Sequence, residues 1–394
     1  MSHPLVSRSP DLSRLEDEGY DVEIRDNYLL IKHVPYVTAQ RTVDYGLLVS
    51  ALCHNGTTTA KPDPHTVWFT AIPYDYLGRS LEQRLVSSRA TETLAGGLVA
   101  QCQFSHKPRP NGYVDYHEKM TTYVEILGHQ AAAIDASAKA RIYPPHQTSE
   151  DESVFRYLDA ASSRAGISGI TAKLGSGRIA IVGLGGTGSY ILDLLAKTPI
   201  EEIHLFDADV LFAHNAFRFP GAASIEDLGP TPKKVDYLFR KYDVMRRNLF
   251  PHPVRIDLDN IGELQAMDFV FLALDGGPTK RFIIESVEAF GVPFIDAGMG
   301  LYREGDSLAG IVRVTTSDNL HRRHVWDNQR ISFADQDDDE YDRNIQTADL
   351  NMLNAVMAVM KWKKLRTFYL DLEQEYDSTY TVSGNMMLSN DQAE

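Results

Sequence analysis

Residues 178–209 read RIAIVGLGGTGSYILDLLAKTPIEEIHLFDAD, and this stretch decides the fold. Arg178–Val182 is a short continuous apolar run, suited to a strand covered on both faces. Gly183-Leu-Gly185-Gly186-Thr187-Gly188-Ser189 follows at once and satisfies G-x-G-x-x-G. Ser189–Ala196 then places apolar residues at helical spacing, and Glu202–Phe206 is a second strand that ends at Asp207. Strand, glycine turn, helix and strand within about 30 residues make a βαβ unit. The glycines let backbone approach phosphates closely, while the helix N-terminus offers amide N–H groups and the positive end of a dipole. Asp207, closing the second strand, suits a ribose diol, but a nicotinamide-dependent oxidoreductase shows the same two features.

Downstream, Met267–Leu274 and Val292–Ile295 read as two further strands, each ended by an aspartate, Asp275 and Asp296. Residues 153–394 are therefore expected to form an α/β domain with a Rossmann-like, doubly wound, mostly parallel sheet. Ligands of such sheets lie beyond the carboxyl ends of the strands, where the glycine loop, Asp207, Asp275 and Asp296 fall. Upstream, residues 1–145 read as a smaller α+β accessory domain for recognising a partner or substrate. Asp21–Val34 suggests two short strands meeting at Asp26-Asn27, Thr66–Ile72 is β-rich, and Met120–Lys139 looks helical in its latter part. Tyr143–Glu152 (YPPHQTSEDE) reads as the linker, and Asp335–Asp342 (DQDDDEYD) as a solvated loop.

Of the 394 residues, 43% are hydrophobic and 24% charged, which excludes disorder, collagen or coiled coil for the whole chain. Lysine and arginine total 39 against 54 acids, a net charge of −15. Such a chain repels phosphate backbones, so nucleic acid is not an expected partner and a protein is easier to accommodate. Cys53 and Cys102 are the two cysteines, and neither belongs to a CxxC pair, which excludes a structural zinc ribbon. No apolar run reaches about 18 residues, so a soluble cytoplasmic protein without a membrane partner is expected.

The residues after Asp207 separate an oxidoreductase from an ATP-cleaving site. They are Asp209, Asn215 and Arg218, then Lys233 and Lys234 opening a helix, then Asp275. A nicotinamide site needs little positive charge around its phosphates. Cleavage of ATP needs cations that screen a triphosphate and a carboxylate that holds magnesium. Arg218, one of the two lysines and Asp275 supply that set, so ATP and Mg2+ are the expected cofactors.

From about residue 153 to 365 the chain resembles the ThiF-type family, the adenylating enzymes that include MoeB and the ubiquitin-activating enzymes. The shared residues are the GLGGTGS loop, the aspartate of FDADV, Asn215 and Arg218 after it, a lysine opening the next helix, and the aspartate of FLALD. The resemblance implies ATP-dependent adenylation of a carboxylate with release of pyrophosphate. The usual carboxylate is the C-terminal glycine of a ubiquitin-like protein, at the head of a bacterial-type conjugation pathway with a conjugating enzyme downstream. It also implies a homodimer. Carried over by position, Gly183, Gly185, Gly186, Thr187 and Gly188 would face the phosphates and Asp207, with Asp209 nearby, the ribose. Asn215, Arg218 and Lys234 (or Lys233) would neutralise the phosphates, and Asp275 would bind magnesium. Arg156 or Arg164, on a helix expected over Phe155–Arg164, would reach the neighbouring subunit's ATP.

Two features depart from that family. Gly276-Gly277 stand where an asparagine is usual, and no cysteine follows Cys102, although thioester-forming members place one before their final helix. Here that loop, Phe333–Thr347, reads FADQDDDEYDRNIQT. Three routes stay open: release of the acyl-adenylate to a separate nucleophile, a hydroxyl route through Ser332 or Thr347, or recruitment of Cys53 or Cys102, which read as core residues. His321-Arg-Arg-His324 reads as a solvated basic patch. Other readings are activation of a small acid, a peptide or a tRNA base, a NAD-dependent oxidoreductase, and a non-catalytic scaffold.

Overall fold

The computed structural model describes residues 4–81, 86–88, 91–94, 97–145, 153–333 and 345–392. The chain divides into two compact units, Met1–Ser149 with Tyr157–Gly166, and Glu150–Arg156 with Ile167–Glu394.

In the first unit the strands are β1 (Asp21–Arg25), β2 (Tyr28–Val37), β3 (Val43–Ala51), β4 (Val67–Phe69), β5 (Val86–Ser88), β6 (Glu92–Thr93), β7 (Val99–Ala100) and β8 (Cys102–Phe104). Six of them form one antiparallel sheet in the order β1-β2-β3-β4-β8-β5, and β6 pairs with β7 separately. Asp26 and Asn27 form the expected corner between β1 and β2. Their φ angles of 46° and 64° are the left-handed pair that a two-residue type I′ turn requires. A helix runs over Tyr116–Ala132, earlier in the chain than the alanine-rich tail suggests. Asp115 starts it by accepting the Glu118 N–H at 2.8 Å, and beyond it Asp135 holds a turn by accepting the Ser137 N–H at 2.8 Å. Tyr116, Met120, Tyr123 and Leu127 pack from this helix onto Phe69 and Phe104. Lys119 is fully buried and donates to Ser50 Oγ at 2.8 Å and Pro64 O at 2.7 Å. Burial pushes its ammonium down to about 8. Cys102 is buried as expected, whereas Cys53 is half-buried, with its thiol donating to Asp63 O at 3.0 Å.

The second unit contains β9 (Arg178–Val182), β10 (Glu202–Phe206), β11 (Leu249–His252), β12 (Phe269–Leu272), β13 (Phe294–Glu304), β14 (Ser307–Ser317), β15 (Glu375–Thr381) and β16 (Met386–Gln392). They make one sheet ordered β11-β10-β9-β12-β13-β14-β15-β16. The first five strands are parallel and the last three continue antiparallel, which is the expected Rossmann-like architecture. Side chains alternate across the sheet. Ile179, Ile181 and Leu205 pack with the helices Gly186–Leu195, Lys234–Asp243 and Ala348–Leu365, while Ala180, Val182 and Val270 pack with the helix Pro278–Phe290. The strand order reverses between β9 and β12, and a crevice opens there beyond their carboxyl ends.

Three sequence expectations are corrected. Asp296 does not end its strand but lies inside β13, fully buried, because Lys280 and Arg313 neutralise it there. Over Phe155–Arg164 only Ala160–Arg164 is helical. Phe155 and Arg156 are extended instead, because Arg156 N–H donates to Met245 O at 2.9 Å and the Arg247 guanidinium takes the carbonyls of Ser153 and Phe155. His321 and His324 are half-buried beside Tyr376 rather than solvated, with ring centroids 4.4 and 5.8 Å from it. The acidic run Asp335–Asp342 lies outside the described residues. No described helix is long and apolar enough to cross a membrane.

Candidate active site

At the switch point a cleft of about 810 Å³ gathers residues from all along the second unit. Its floor is the turn after β9. Gly183 takes φ +89°, and a Cβ there would meet Ala273 O at 2.5 Å. Gly188 packs still closer, since a Cβ would stand 1.9 Å from Gly183 O. Gly185 has open space above its Cα, so the backbone is bare toward the cleft. Gly183, Gly185, Gly186 and Thr187 line the cleft, whereas Gly188 is buried behind them.

Asp207 holds this turn in place. Its carboxylate accepts the Leu184 N–H at 2.7 Å and the Asp209 N–H at 2.8 Å. Lys234, nearly buried at the start of its helix, reaches Asp209 at 2.8 Å and Asp207 at 3.8 Å. Burial works to raise the Asp209 carboxyl, but the hydrogen bond and charge of Lys234, with Arg255 beyond, outweigh it and hold the group below its usual range. Asp207, Asp209 and Lys234 all line the cleft; Lys233 does not, its ammonium being held by Ala208 O. Arg218 also lines it, and its Nε is buried with no hydrogen-bond partner among the described residues. Asn215 stands off the wall and is 3% exposed, its Oδ1 accepting the Phe212 N–H at 2.9 Å. Its carbonyl accepts the Arg218 N–H at 3.0 Å, so it shapes the turn that aims Arg218.

Asp275 lies on the opposite wall, three residues past the end of β12, and is exposed to the cleft. Were a nucleotide's phosphates to enter the cleft, one carboxylate would suffice for Mg2+, which keeps several waters and takes its other ligands from phosphates. No group of three or more metal-ligating side chains exists among the described residues, so no all-protein metal cage competes with that fit. Of the Gly276-Gly277 pair, Gly277 has a backbone reason: it adopts φ +118° to open the helix Pro278–Phe290. Arg156 lies away from the cleft, its guanidinium bonded to Asp243 at 2.6 Å, and Arg164 stacks over the Tyr143 ring at 4.4 Å. Ser332 lines the cleft, whereas Thr347 stands just outside it as the N-cap of Ala348–Leu365.

Several residues of the site carry no motif. Asn351, 1% exposed, presses its carboxamide against Gly186 and accepts the Thr187 hydroxyl at 2.9 Å. Its signal is a pair of asparagines, Asn351 and Asn354, three apart in the otherwise apolar run from Leu350 to Met360. At the far end of the cleft are Gly298, Gly300, Ile311, Arg313 and Arg330, from β13, β14 and the segment before Ser332. Val254, Arg255 and Ile256 form the near end with Phe206.

The family described as ThiF family matches residues 159–375, and a domain of unknown function, DUF6791, matches residues 10–160. No curated protein matches the chain in sequence. Among solved structures, E. coli MccB is 15% identical over 57% of this chain and 64% of its own, with a TM-score of 0.42. MccB with MccA-N7isoASN gives 16%, 57%, 66% and 0.43, and PaaA gives 16%, 56%, 75% and 0.43. The present chain thus spans slightly less than two thirds of MccB.

Proposed function

This chain belongs to the ThiF family, and from that premise we propose that it is an adenylyltransferase that activates a carboxylate with ATP. The observation that carries the reading is the convergence of Arg218, Lys234, Asp207 and Asp275 with the bare glycine turn on one cleft. The backbone amides of Gly185–Thr187 and the helix behind them would cradle the phosphates. Asp207 would accept a ribose hydroxyl, with Phe206, Val254 and Ile256 as the apolar wall for the base. A carboxylate oxygen attacks the α-phosphorus, the bond from that phosphorus to the bridging oxygen breaks, and pyrophosphate leaves. Negative charge builds on the phosphoryl oxygens, and Arg218, with its unpaired Nε, and Lys234 are the cations that meet it. Magnesium held by Asp275 would screen the leaving pyrophosphate.

The carboxylate we assign is the C-terminal glycine of a ubiquitin-like protein, because the far wall of the cleft includes Gly300, which has open space above its Cα and suits a thin extended tail. With no thiol after Cys102, the acyl-adenylate passes to a nucleophile on a separate protein such as a conjugating enzyme. The first unit recognises one of these partners, and two copies of the chain form the working enzyme. The test is ATP–pyrophosphate exchange. It should depend on an added protein ending in glycine and vanish in Asp275→Ala. Equal exchange with a small acid would remove the protein substrate, and NADH binding without any exchange would remove the adenylation reading.

A further inference from the structure

β13 and β14 pair antiparallel with Gly298 directly opposite Arg313. Opposed residues share one face of a sheet. A Cβ at position 298 would stand 2.5 Å from Arg313 Nη2 and 3.2 Å from Cζ, so the guanidinium lies flat on the bare backbone of Gly298. Both residues line the far end of the cleft.

The guanidinium is fixed on one side only. Nη1 donates to Thr315 Oγ1 at 2.6 Å and to Arg330 O, and Nη2 donates to Asp296 Oδ2 at 2.6 Å. A guanidinium carries five N–H groups, so among the described residues the Nε–H and one Nη2–H remain unused. Nε and Nη2 stand side by side on the guanidinium, and an edge of that kind is the one that grips both oxygens of a carboxylate. The Arg313 side chain is 17% exposed, enough to be reached from the cleft and little enough to be held rigid.

Asp296 is fully buried and faces two cations, Arg313 and, at 2.6 Å, Lys280. Arg330 in turn meets two acids, Asp391 at 2.7 Å and Asp377 at 3.8 Å, and Asp377 also accepts from Thr315 Oγ1 at 2.7 Å. Three cations thus face three carboxylates, and what draws an anion to this edge is the donors of the guanidinium rather than excess charge. Lys280 also donates to Leu274 O at 3.0 Å, next to Asp275. The same cluster thus ties the Arg313 end of the cleft to the loop proposed to hold magnesium.

We propose that Arg313, laid on Gly298, is the receptor for the free carboxylate of the substrate's chain end before it attacks ATP. The proposal rests on the adenylation reading and adds a specificity to it. The cleft takes an anionic terminus, because the fork needs two carboxylate oxygens.

The experiment uses the full chain saturated with an α,β-methylene analogue of ATP. Acetyl-Gly-Gly is titrated as the acid and as the C-terminal amide, and binding of the analogue is measured separately. The acid should bind at least about tenfold more tightly than the amide, the scale of a lost charge-assisted pair. In Arg313→Gln that preference should fall below about twofold with nucleotide affinity unchanged. Gly298→Ala, which drives a methyl into the guanidinium, should abolish it as well, and decides the matter should Arg313→Gln melt early. Nucleotide binding without acid preference in the wild type, or a preference that survives both substitutions, overturns the role of Arg313 alone. Failure to bind the analogue at all overturns the adenylation reading beneath it.

Discussion

The sharpest test of a phosphate-binding turn is the substitution Gly185→Ala. Gly185 has φ −72° and ψ −152°, extended backbone that alanine adopts, and a Cβ there meets nothing within 4 Å. The folded protein should therefore tolerate the methyl, with a stability change within about 1 kcal/mol, the size of a compatible Gly-to-Ala exchange. For a unit of this size that is a shift of roughly 2–4 °C in Tm. The empty space is nevertheless the space a phosphate must enter to reach the amides of the turn. Losing two charge-assisted bonds at about 1.5 kcal/mol each weakens binding by about 3 kcal/mol, or more than 100-fold in Kd. Equilibrium titration with a fluorescent ATP analogue, beside a melting curve, separates the two effects. The neighbouring glycines behave differently. Gly188→Ala places a Cβ 1.9 Å from Gly183 O, a backbone atom that cannot swing aside, and Gly186→Ala places one 2.3 Å from the Asn351 carboxamide. Both should lose stability and binding together, by about 1–3 kcal/mol of overpacking or more. If Gly185→Ala binds ATP within about threefold of the wild type, the loop is a tight strand–helix turn and nothing else.

Three further outcomes follow from the electrostatics. Asp296→Ala leaves Lys280 and Arg313 facing each other without a counter-charge at a buried position, and should cost about 3–5 kcal/mol in denaturant unfolding of the second unit; a cost below about 1 kcal/mol would mean that water compensates the pair. Asp209 should titrate in NMR below its ordinary 3.8 and keep its bond to Lys234 until pH falls through that depressed value. In Lys234→Met burial is left to act with only Arg255 opposing it, so the midpoint should rise, and an unchanged midpoint would contradict the pairing. Lys119 has a folded value of about 8 against 10.5 unfolded, so above pH 8 the folded chain sheds the proton first. The unfolded chain then binds more protons, and the first unit should gain stability by up to about 1.4 kcal/mol per pH unit up to roughly pH 9.5, before tyrosines ionise. That slope should be absent in Lys119→Met.

What could be read from sequence here was local. The run Arg178–Val182, the glycine turn and the strand ending at Asp207 each announce themselves within a few residues, and Asp26-Asn27 names its own turn. Their products, β9, the bare floor of the cleft and the β1–β2 hairpin, follow from backbone rules that need no distant partner. Asp296 obeys no such rule. An aspartate after an apolar run reads as a strand terminus because an unpaired carboxylate cannot be buried. It can be buried once a lysine from the preceding helix and an arginine from the following strand meet it at 2.6 Å each. β13 then runs on to Glu304, through the glycines that floor the far end of the cleft. The Met120–Lys139 segment shows the same limit in helix form: its alanines favour a helix, yet the capping aspartate Asp115 and the turn at Asp135 decide where the helix lies. The glycine-turn end of the cleft is thus written in contiguous residues and the Arg313 end in pairings across three elements. A homologous chain could keep every residue of the glycine turn and still, by changing Lys280, Asp296 or Arg313, present a different opening to its substrate.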